Sequence, residues 1–514
     1  MAATSVLSLH ALAGEPRLDA NQDGVINFPD LSAALESSDF NRVNAVLSNW
    51  GLRVVLPVGA PTNPPPPPPE GITPSKKPVA RWVDVPFRTV DQPYRLRVVA
   101  EDISGILAVS FNANQGSTVF VTEPIWSDET AGYEYTALLD PADIDVGERI
   151  QISAVVYPNS GPPRVLAGPL NSASAASGEF SMVVFGPPVQ VATRYVSVGG
   201  NDTTGTGAKS NPYRTIDRAM YDVEDIGAGD QMFIYLESGS HGWGGPRVDA
   251  PNDRWLTIVP APGVSAGSVR IVSGTSTRVG APRVRLANVT LDQRSAWNMT
   301  GYNTVDDSLW LDSVVCIGPG RWTNSGTVQS EPVLASNIAS YFVTNSSASN
   351  YINGFRAATL VRNSSLSRLG ADAYSNTRLV LNCTVDDIDN GTHAYHPDVY
   401  QFSGSGTRDN TFIRGLTATN AQCQGVFSNG LAVVANTYLG NIRIERNMPD
   451  PSVPPWSMWA VDETNHFLID ELALPDSTWS WRCPIMNNVR ISGFDVYRQV
   501  VQTVGVWEED WFVD

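Results

Sequence analysis

Lysine is almost missing. Only Lys76, Lys77 and Lys209 occur in 514 residues, so chemistry that needs a lysine base is excluded downstream of Lys209. Arginine carries nearly all the positive charge, as a GC-rich genome would give. Positive charge of either kind is outnumbered, 34 basic against 52 acidic side chains, for a net charge of −18. That field argues against a nucleic-acid partner, which needs cations to displace counterions. Cysteine is scarce as well: Cys316, Cys383, Cys423 and Cys483, with no CxxC spacing, which argues against a zinc site. Cys316 and Cys383 lie in apolar runs (VVCI, LVLNCTV) and read as buried thiols, and no disulfide is assignable. No run has the apolar length of a membrane-spanning helix. The start, MAATSVLSLHALAG, lacks the positive flank and long apolar stretch of a signal peptide. Either a leader has been removed or the chain reaches the outside by another route, such as within a virus particle.

What is present divides the chain into four blocks: 1–57, 58–79, 80–190 and 191–514. The first contains LDANQDGVINFPDL. Asp19, Asn21, Asp23, Asn27 and Asp30 fall at positions 1, 3, 5, 9 and 12 of a calcium loop. Gly24 sits where the sharp turn comes and the carbonyl of Val25 supplies position 7. Calcium is therefore the expected cofactor. The pattern DxNxDGxxNxxDL resembles a dockerin half-repeat, an EF-hand relative that ends its loop on Asp. Phe40, Val43, Leu47 and Trp50 follow at helical spacing. A dockerin carries two such loops and SSDFNR supplies no second ligand series, so a small calcium-stabilised helical module is expected and a cohesin partner is not.

Residues 58–79 hold Pro64 to Pro69 in unbroken succession, an extended spacer. Residues 80–190 alternate apolar and polar positions in short runs (YRLRVVAED, GILAVSFNAN, RIQISAVVYP) separated by turn clusters. That rhythm predicts an antiparallel β-sandwich. It resembles the Ig-like or fibronectin-like modules that bacterial surface enzymes carry as spacers.

From residue 194 the sequence RYVSVGGNDTTGTGAKSNPYRTIDRAM resembles the opening segment of many parallel β-helix proteins. Gly200, Asp202, Gly205, Gly207, Pro212, Thr215, Ile216 and Ala219 match that pattern in order. A helix over about 215–223 is placed to cover the open end of a coil stack, which would otherwise expose strand edges. A short motif then recurs, an apolar strand, a polar residue and another apolar pair, centred on Asn288, Ser313, Asn345, Asn363, Asn382, Gly415, Asn441, Glu471 and Asn488. Repeats of this period indicate a solenoid. The expected fold is mainly β: a right-handed parallel β-helix of the pectate-lyase-like superfamily, preceded by the sandwich and the calcium module.

Candidate chemistry concentrates in residues 370–402, GADAYSNTRLVLNCTVDDIDNGTHAYHPDVYQF. Asp372 and Asp398 are 26 residues apart, about one coil. On equivalent turns they would stack roughly 5–10 Å apart, one or two strand spacings. Two carboxylates at that range suit glycoside hydrolysis, one as acid and one as base or nucleophile. His396 can relay a proton. GADA and HPDVYQ resemble Asp-bearing and His-Pro-Asp-x-x-Gln segments of β-helix proteins that act on polysaccharides. That resemblance implies Asp372, His396 and Asp398 as catalytic residues and Gln401 and His393 as substrate contacts. Aromatic faces stack on sugar rings, and Trp456 and Trp459 in PPWSMWAVDE are the candidates for a glycan groove. Arg362, Arg368 and Arg378 are available should a lyase need an arginine base. The competing reading is that Asp, Asn and His-Pro-Asp here only shape turns.

Three functions stay open: an extracellular or cell-surface polysaccharide lyase or hydrolase, a non-catalytic adhesion or fibre protein, and a phage tailspike that binds host glycan. Only the last requires a trimer, and it would place the protein on a virion surface.

Overall fold

The structure is a computed structural model that describes residues 77–113, 118–168, 180–187, 191–225, 231–246, 248, 254–273, 283–294, 307–321, 330–333, 338, 340–389, 397–403, 407–445, 456–482, 485–501 and 512–513. The expected calcium module and the proline spacer lie outside these residues.

The first described block forms two sheets. Strands Val79–Trp82, Tyr94–Glu101, Gly132–Leu139 and Ile125–Ser127 make one, all antiparallel. The other joins Arg88–Thr89, Met182–Phe185, Arg149–Pro158, Ile106–Ala113 and Thr118–Val121, with Arg164–Leu166 on one edge. Its single parallel pairing is Arg88–Thr89 against Met182–Phe185. Alternation in these strands puts Val98, Val109, Ile152 and Val156 into a shared interior.

The rest is one long parallel sheet wound into successive coils, an arrangement compatible with a β-helix. Each early coil contributes two strands. The first column runs through Val191–Val196, Gln231–Leu236, Leu256–Pro260, Arg283–Ala287, Ser308–Asp312, Ser340–Thr344 and Leu360–Arg362. The second runs through Gly239–Trp243, Val269–Ser273, Thr290–Asp292, Val315–Ile317, Ser347–Ser349 and Ser365–Leu369. A third column starts at Phe355–Arg356 and continues through Tyr374–Ser375 and Asp398–Phe402. Side chains repeat in register, so the interior is built of like on like. Ile258, Leu286, Leu311, Val343, Val361, Val380, Ile413 and Leu439 form one buried row. Leu291, Cys316, Ala348, Leu366 and Val385 form another. Cys316 is therefore a small apolar filler, and burial pushes its thiol up to about 12.

The recurring polar residue marks the turn between the first two columns. Asn288, Ser313, Asn345, Asn363, Asn382, Gly415, Asn441 and Glu471 all have φ between 45° and 67°. That left-handed conformation is costly for most residues, and Asn tolerates it best after Gly. The amides also reach along the stack. Asn382 donates to Asn363 Oδ1 at 2.9 Å, and Asn363 to Asn345 Oδ1 at 3.5 Å.

The end of the coil nearest residue 191 is closed as its sequence suggests. Asp202 accepts from the amides of Arg214 and Thr215 and from the Thr215 hydroxyl, at 2.8, 3.0 and 2.9 Å. Thr215 Oγ1 then caps the helix Ile216–Asp225 by accepting from Arg218 N at 3.2 Å. Ile216, Ala219 and Met220 are buried against the interior. At Gly200 a Cβ would meet the Tyr213 carbonyl at 2.2 Å, so no other residue fits.

The expected spacer role of the sandwich needs correction. The sandwich packs along the outer face of the first column. Trp255, Trp310, Phe342, Leu360, Leu379, Leu381, Phe412 and Leu468 share one core with Val79, Trp82, Val85 and Phe180 of the sandwich. These strands are thus buried on both faces, which is why every residue of SYFVT is buried and LVL, at the start of Leu379–Asp389, has no polar alternate. Polar groups fix the junction. Asn410 accepts from Ala80 N at 3.0 Å and donates to Ala80 O at 2.9 Å, as a neighbouring strand would. Arg362 pairs with Glu129 at 3.0 Å, and Trp255 Nε1 donates to Pro86 O at 2.8 Å.

Candidate functional site

The third column carries a row of polar residues, one per coil. Tyr374 pairs with Tyr400, and the Ala373 amide donates to the Asp398 carbonyl at 2.9 Å. Asp372 and Asp398 therefore occupy equivalent positions on adjacent coils. Phe355 pairs with Tyr374 on the other side, which sets Asn353 beside Asp372, and Asp398 itself pairs with Gln424. The Asn353 amide donates to the Ser330 carbonyl at 2.9 Å, so Glu331 stands one coil before Asn353. The row reads Glu331, Asn353, Asp372 and Asp398, with Gln424 next by backbone register.

Burial distinguishes its members. Asp398 is 0% exposed and Asp372 7%, so the pair lies beneath the surface with Asp372 at its outer limit. Strand alternation sets Asp398 on the same side as Tyr400 and Phe402, both in the interior. Glu331 is 4% exposed, and burial pushes its carboxyl up to about 7 against the opposing pull of Arg356, 3.7 Å away. Burial thus favours the protonated form of Glu331 up to near neutral pH.

Gln401 is half-buried in the same strand as Asp398 and pairs with Ser375. His393 and His396 lie outside the described residues, as do the calcium ligands Asp19, Asn21, Asp23, Val25, Asn27 and Asp30. Trp456 and Trp459 belong by backbone to the strand Trp456–Arg482, and their side chains lie outside the description.

The acidic stretch after Cys383 is a strand with its charges answered. Arg321 reaches Asp387 at 2.7 Å and Asp389 at 3.3 Å, and Asp386 accepts from Thr419 and Asn420 at 2.9 and 2.7 Å. Among the described residues no cluster of three or more His, Cys, Asp or Glu is arranged to hold a metal. The candidate lyase arginines are partly spoken for. Arg362 is 4% exposed and committed to the sandwich, and Arg378 is half-buried. Arg368 takes a left-handed turn conformation, φ 56°, equivalent to that of Asp387 on the next coil.

Glu331 was not among the residues that spacing singled out. It lies in the segment VQSEPV, far in sequence from residues 370–402, and the hydrogen bond from Asn353 N to Ser330 O ties it to the acid row. Trp243 and Trp310 are 2% and 3% exposed and serve as core.

No protein-family model matches the chain, and no curated protein sequence does. Among solved structures, the crystal structure of a GH136 lacto-N-biosidase from Eubacterium ramulus (a selenomethionine derivative) is similar to this chain at a TM-score of 0.33 and 9% identity, over 61% of this chain and 67% of that one.

Proposed function

We propose that the protein processes polysaccharide outside the cell or at its surface, with its site on the third column of a right-handed parallel β-helix of the pectate-lyase-like kind. The observation that carries this reading is the in-register pair Asp372 and Asp398, with the protonated Glu331 two coils from Asp372. Adjacent strands are about 4.8 Å apart, within reach of the ~5–5.5 Å carboxyl separation of a retaining glycosidase. One carboxylate of the pair would serve as nucleophile or base. Glu331 or the second carboxylate would serve as the acid that protonates the leaving oxygen. His396 would relay protons, and His393, Gln401, Trp456 and Trp459 would hold the sugar. The commitment of Arg362 to the sandwich, with no lysine after Lys209, favours hydrolysis over elimination.

One observation favours a second reading, a non-catalytic adhesion protein or a trimeric virion fibre: the full burial of Asp398. The two separate on a panel of algal, plant and bacterial polysaccharides. Reducing ends report hydrolysis, and ultraviolet absorbance of unsaturated products reports elimination. Turnover that falls at least about 100-fold in Asp372→Asn is the expected result, since general acid–base groups contribute on that order. Turnover retained by both Asp372→Asn and Asp398→Asn would remove the site. No turnover on any glycan, with binding intact, would establish the adhesion reading. Calcium at Asp19, Asn21, Asp23, Val25, Asn27 and Asp30 is a separate proposal. Isothermal titration of the full chain should show one calcium site that Asp19→Ala abolishes, and unchanged binding in that variant would remove the loop.

A further inference from the structure

The sandwich does not cover the whole outer face of the first column. Among the described residues its edge ends at residues 87–89, over the third and fourth coils, and does not reach the first. The register there is continuous: Phe233 pairs with Thr257, Thr257 with Arg285, and Arg285 with Trp310. At the boundary lies a cleft open to solvent. Phe87 and Arg88 of the sandwich form one wall, and Arg254, Arg285, Trp255 and Trp310 of the coils form the other. Three guanidinium groups thus converge in a chain whose net charge is −18.

Their partners leave capacity for a ligand. Among the described residues Arg88 makes no ion pair; it lies 5.3 Å from the ring centre of Trp310 and 5.6 Å from that of Tyr94. Arg285 lies 4.2 Å from the Trp310 ring and gives one nitrogen to Asp312 at 2.5 Å. Its buried Nε has no hydrogen-bond partner. Beyond the cleft the face is aromatic. Phe233 and Tyr235 stack with ring planes 3° apart and centres 5.6 Å apart, and Tyr195 lies 5.2 Å from Tyr235. All three rings are half-buried and open on one side.

We propose that this seam cleft binds an oxyanion-bearing saccharide, with its carboxylate or sulfate on Arg88 and Arg285 and its neighbouring ring on Phe233 and Tyr235. Guanidinium groups suit planar or tetrahedral oxyanions through charge-assisted hydrogen bonds. Aromatic faces supply the apolar surface that a pyranose ring covers. That the anion is a sugar rests on the proposed function; that the ligand is an anion rests on the arginines alone. The cleft lies on the first column and the acid row on the third, so binding here would hold a chain whose other units reach elsewhere on the coil.

Isothermal titration of the full-length protein tests this with three probes of equal length: oligogalacturonate, a sulfated galactan oligosaccharide and a cello-oligosaccharide. At least one acidic probe should bind about tenfold or more tighter than the neutral one, and the carboxylate and sulfate arms identify the anion. Arg88→Gln should remove that preference, and Tyr235→Ala should weaken acidic and neutral probes alike. Added salt should weaken wild-type binding, which keeps the test valid if Arg88→Gln does not fold. Equal binding of acidic and neutral probes, no binding of either acidic probe, or binding indifferent to salt overturns the cleft. Turnover is read separately. Acidic-probe binding without turnover supports the cleft and counts against the catalytic reading. Turnover of a glycan that Arg88→Gln binds as well as the wild type overturns the cleft alone.

Discussion

His466 and Asp102 meet across the junction of the sandwich and the coiled sheet. The imidazole Nε2 lies 2.9 Å from a carboxylate oxygen, and both side chains are 4% exposed. Asp102 also accepts from the amide and hydroxyl of Ser104, at 2.8 and 2.6 Å, so its position is fixed from the sandwich side. Replacing His466 by Leu would set an apolar side chain against a buried carboxylate, at a cost of about 1–3 kcal/mol. His466→Leu should therefore lower the melting temperature measured by calorimetry. The double variant His466→Leu with Asp102→Leu should lose less than the two single losses added together. Strict additivity would mean that the two side chains do not interact.

Glu331 gives stability a pH dependence of unusual sign. Its carboxyl is raised from 4.5 to about 7 by burial. The folded state therefore holds a proton that the unfolded state has released between those values. Stability from this group is full below about pH 4.5 and falls as pH rises toward 7, by about 3 kcal/mol at most. Glu101, partly buried at the sandwich junction and also raised to about 7 by burial, acts in the same direction. Glu331→Gln should flatten much of this decline and raise the melting temperature at pH 8 relative to the wild type. A melting temperature for Glu331→Gln that tracks the wild type at every pH would show that the carboxyl is not buried.

Asn363 is held at φ 48° between Asn345 and Asn382 on neighbouring coils. Two costs can be separated there. Asn363→Gly keeps the left-handed turn and loses only the amide ladder, whose exposed bonds are worth a few tenths of a kcal/mol to about 1. Asn363→Ala loses the ladder and must also place a Cβ in the left-handed region, at roughly 1–2 kcal/mol more. Thermal denaturation should therefore rank the wild type above Gly and Gly above Ala. Equal losses in the two variants would mean that the ladder, and not the turn, accounts for the Asn.

The coil was readable in the sequence because its turns impose a conformation that few residues accept. Asn at positions such as 345, 363 and 382 is a local, chemical requirement, so it leaves a local mark. The same holds for the closed end, where Gly200, Asp202 and Thr215 each meet a specific steric or hydrogen-bonding demand. The docking of the sandwich left no such mark. Trp310, Phe342 and Leu379 face outward, yet in sequence they look like any core residue, because burial by another domain and burial by the coil interior select the same side chains. The register of Asp372 with Asp398 could be anticipated from their 26-residue separation. Glu331 could not, since the coils between it and Asp372 differ in length. Arg88, Arg254 and Arg285 converge from three distant segments, a relationship only tertiary structure contains.

Asp202 should control solubility more than its exposure suggests. It is partly exposed, but it organises residues 200–215, whose backbone bonds back onto the first strand: Tyr213 donates to Tyr195 O at 3.0 Å and Tyr195 to Gly207 O at 2.8 Å. These bonds occupy the outermost strand edge, which would otherwise template pairing with another chain. Asp202→Ala removes three hydrogen bonds at once and releases both the loop and the N-terminus of the helix Ile216–Asp225. The loss should be about 1–3 kcal/mol locally. Because a solenoid is stabilised mainly between neighbouring coils, the distant coils should be barely affected. The expected phenotype is a faster approach to aggregates on concentration, read by light scattering, with little change in the main thermal transition. Hydrogen exchange should quicken at residues 191–225 and not at 340–389. Unchanged exchange at 191–225, or a main transition lowered in parallel, would mean that the segment does not act as a separate closing element.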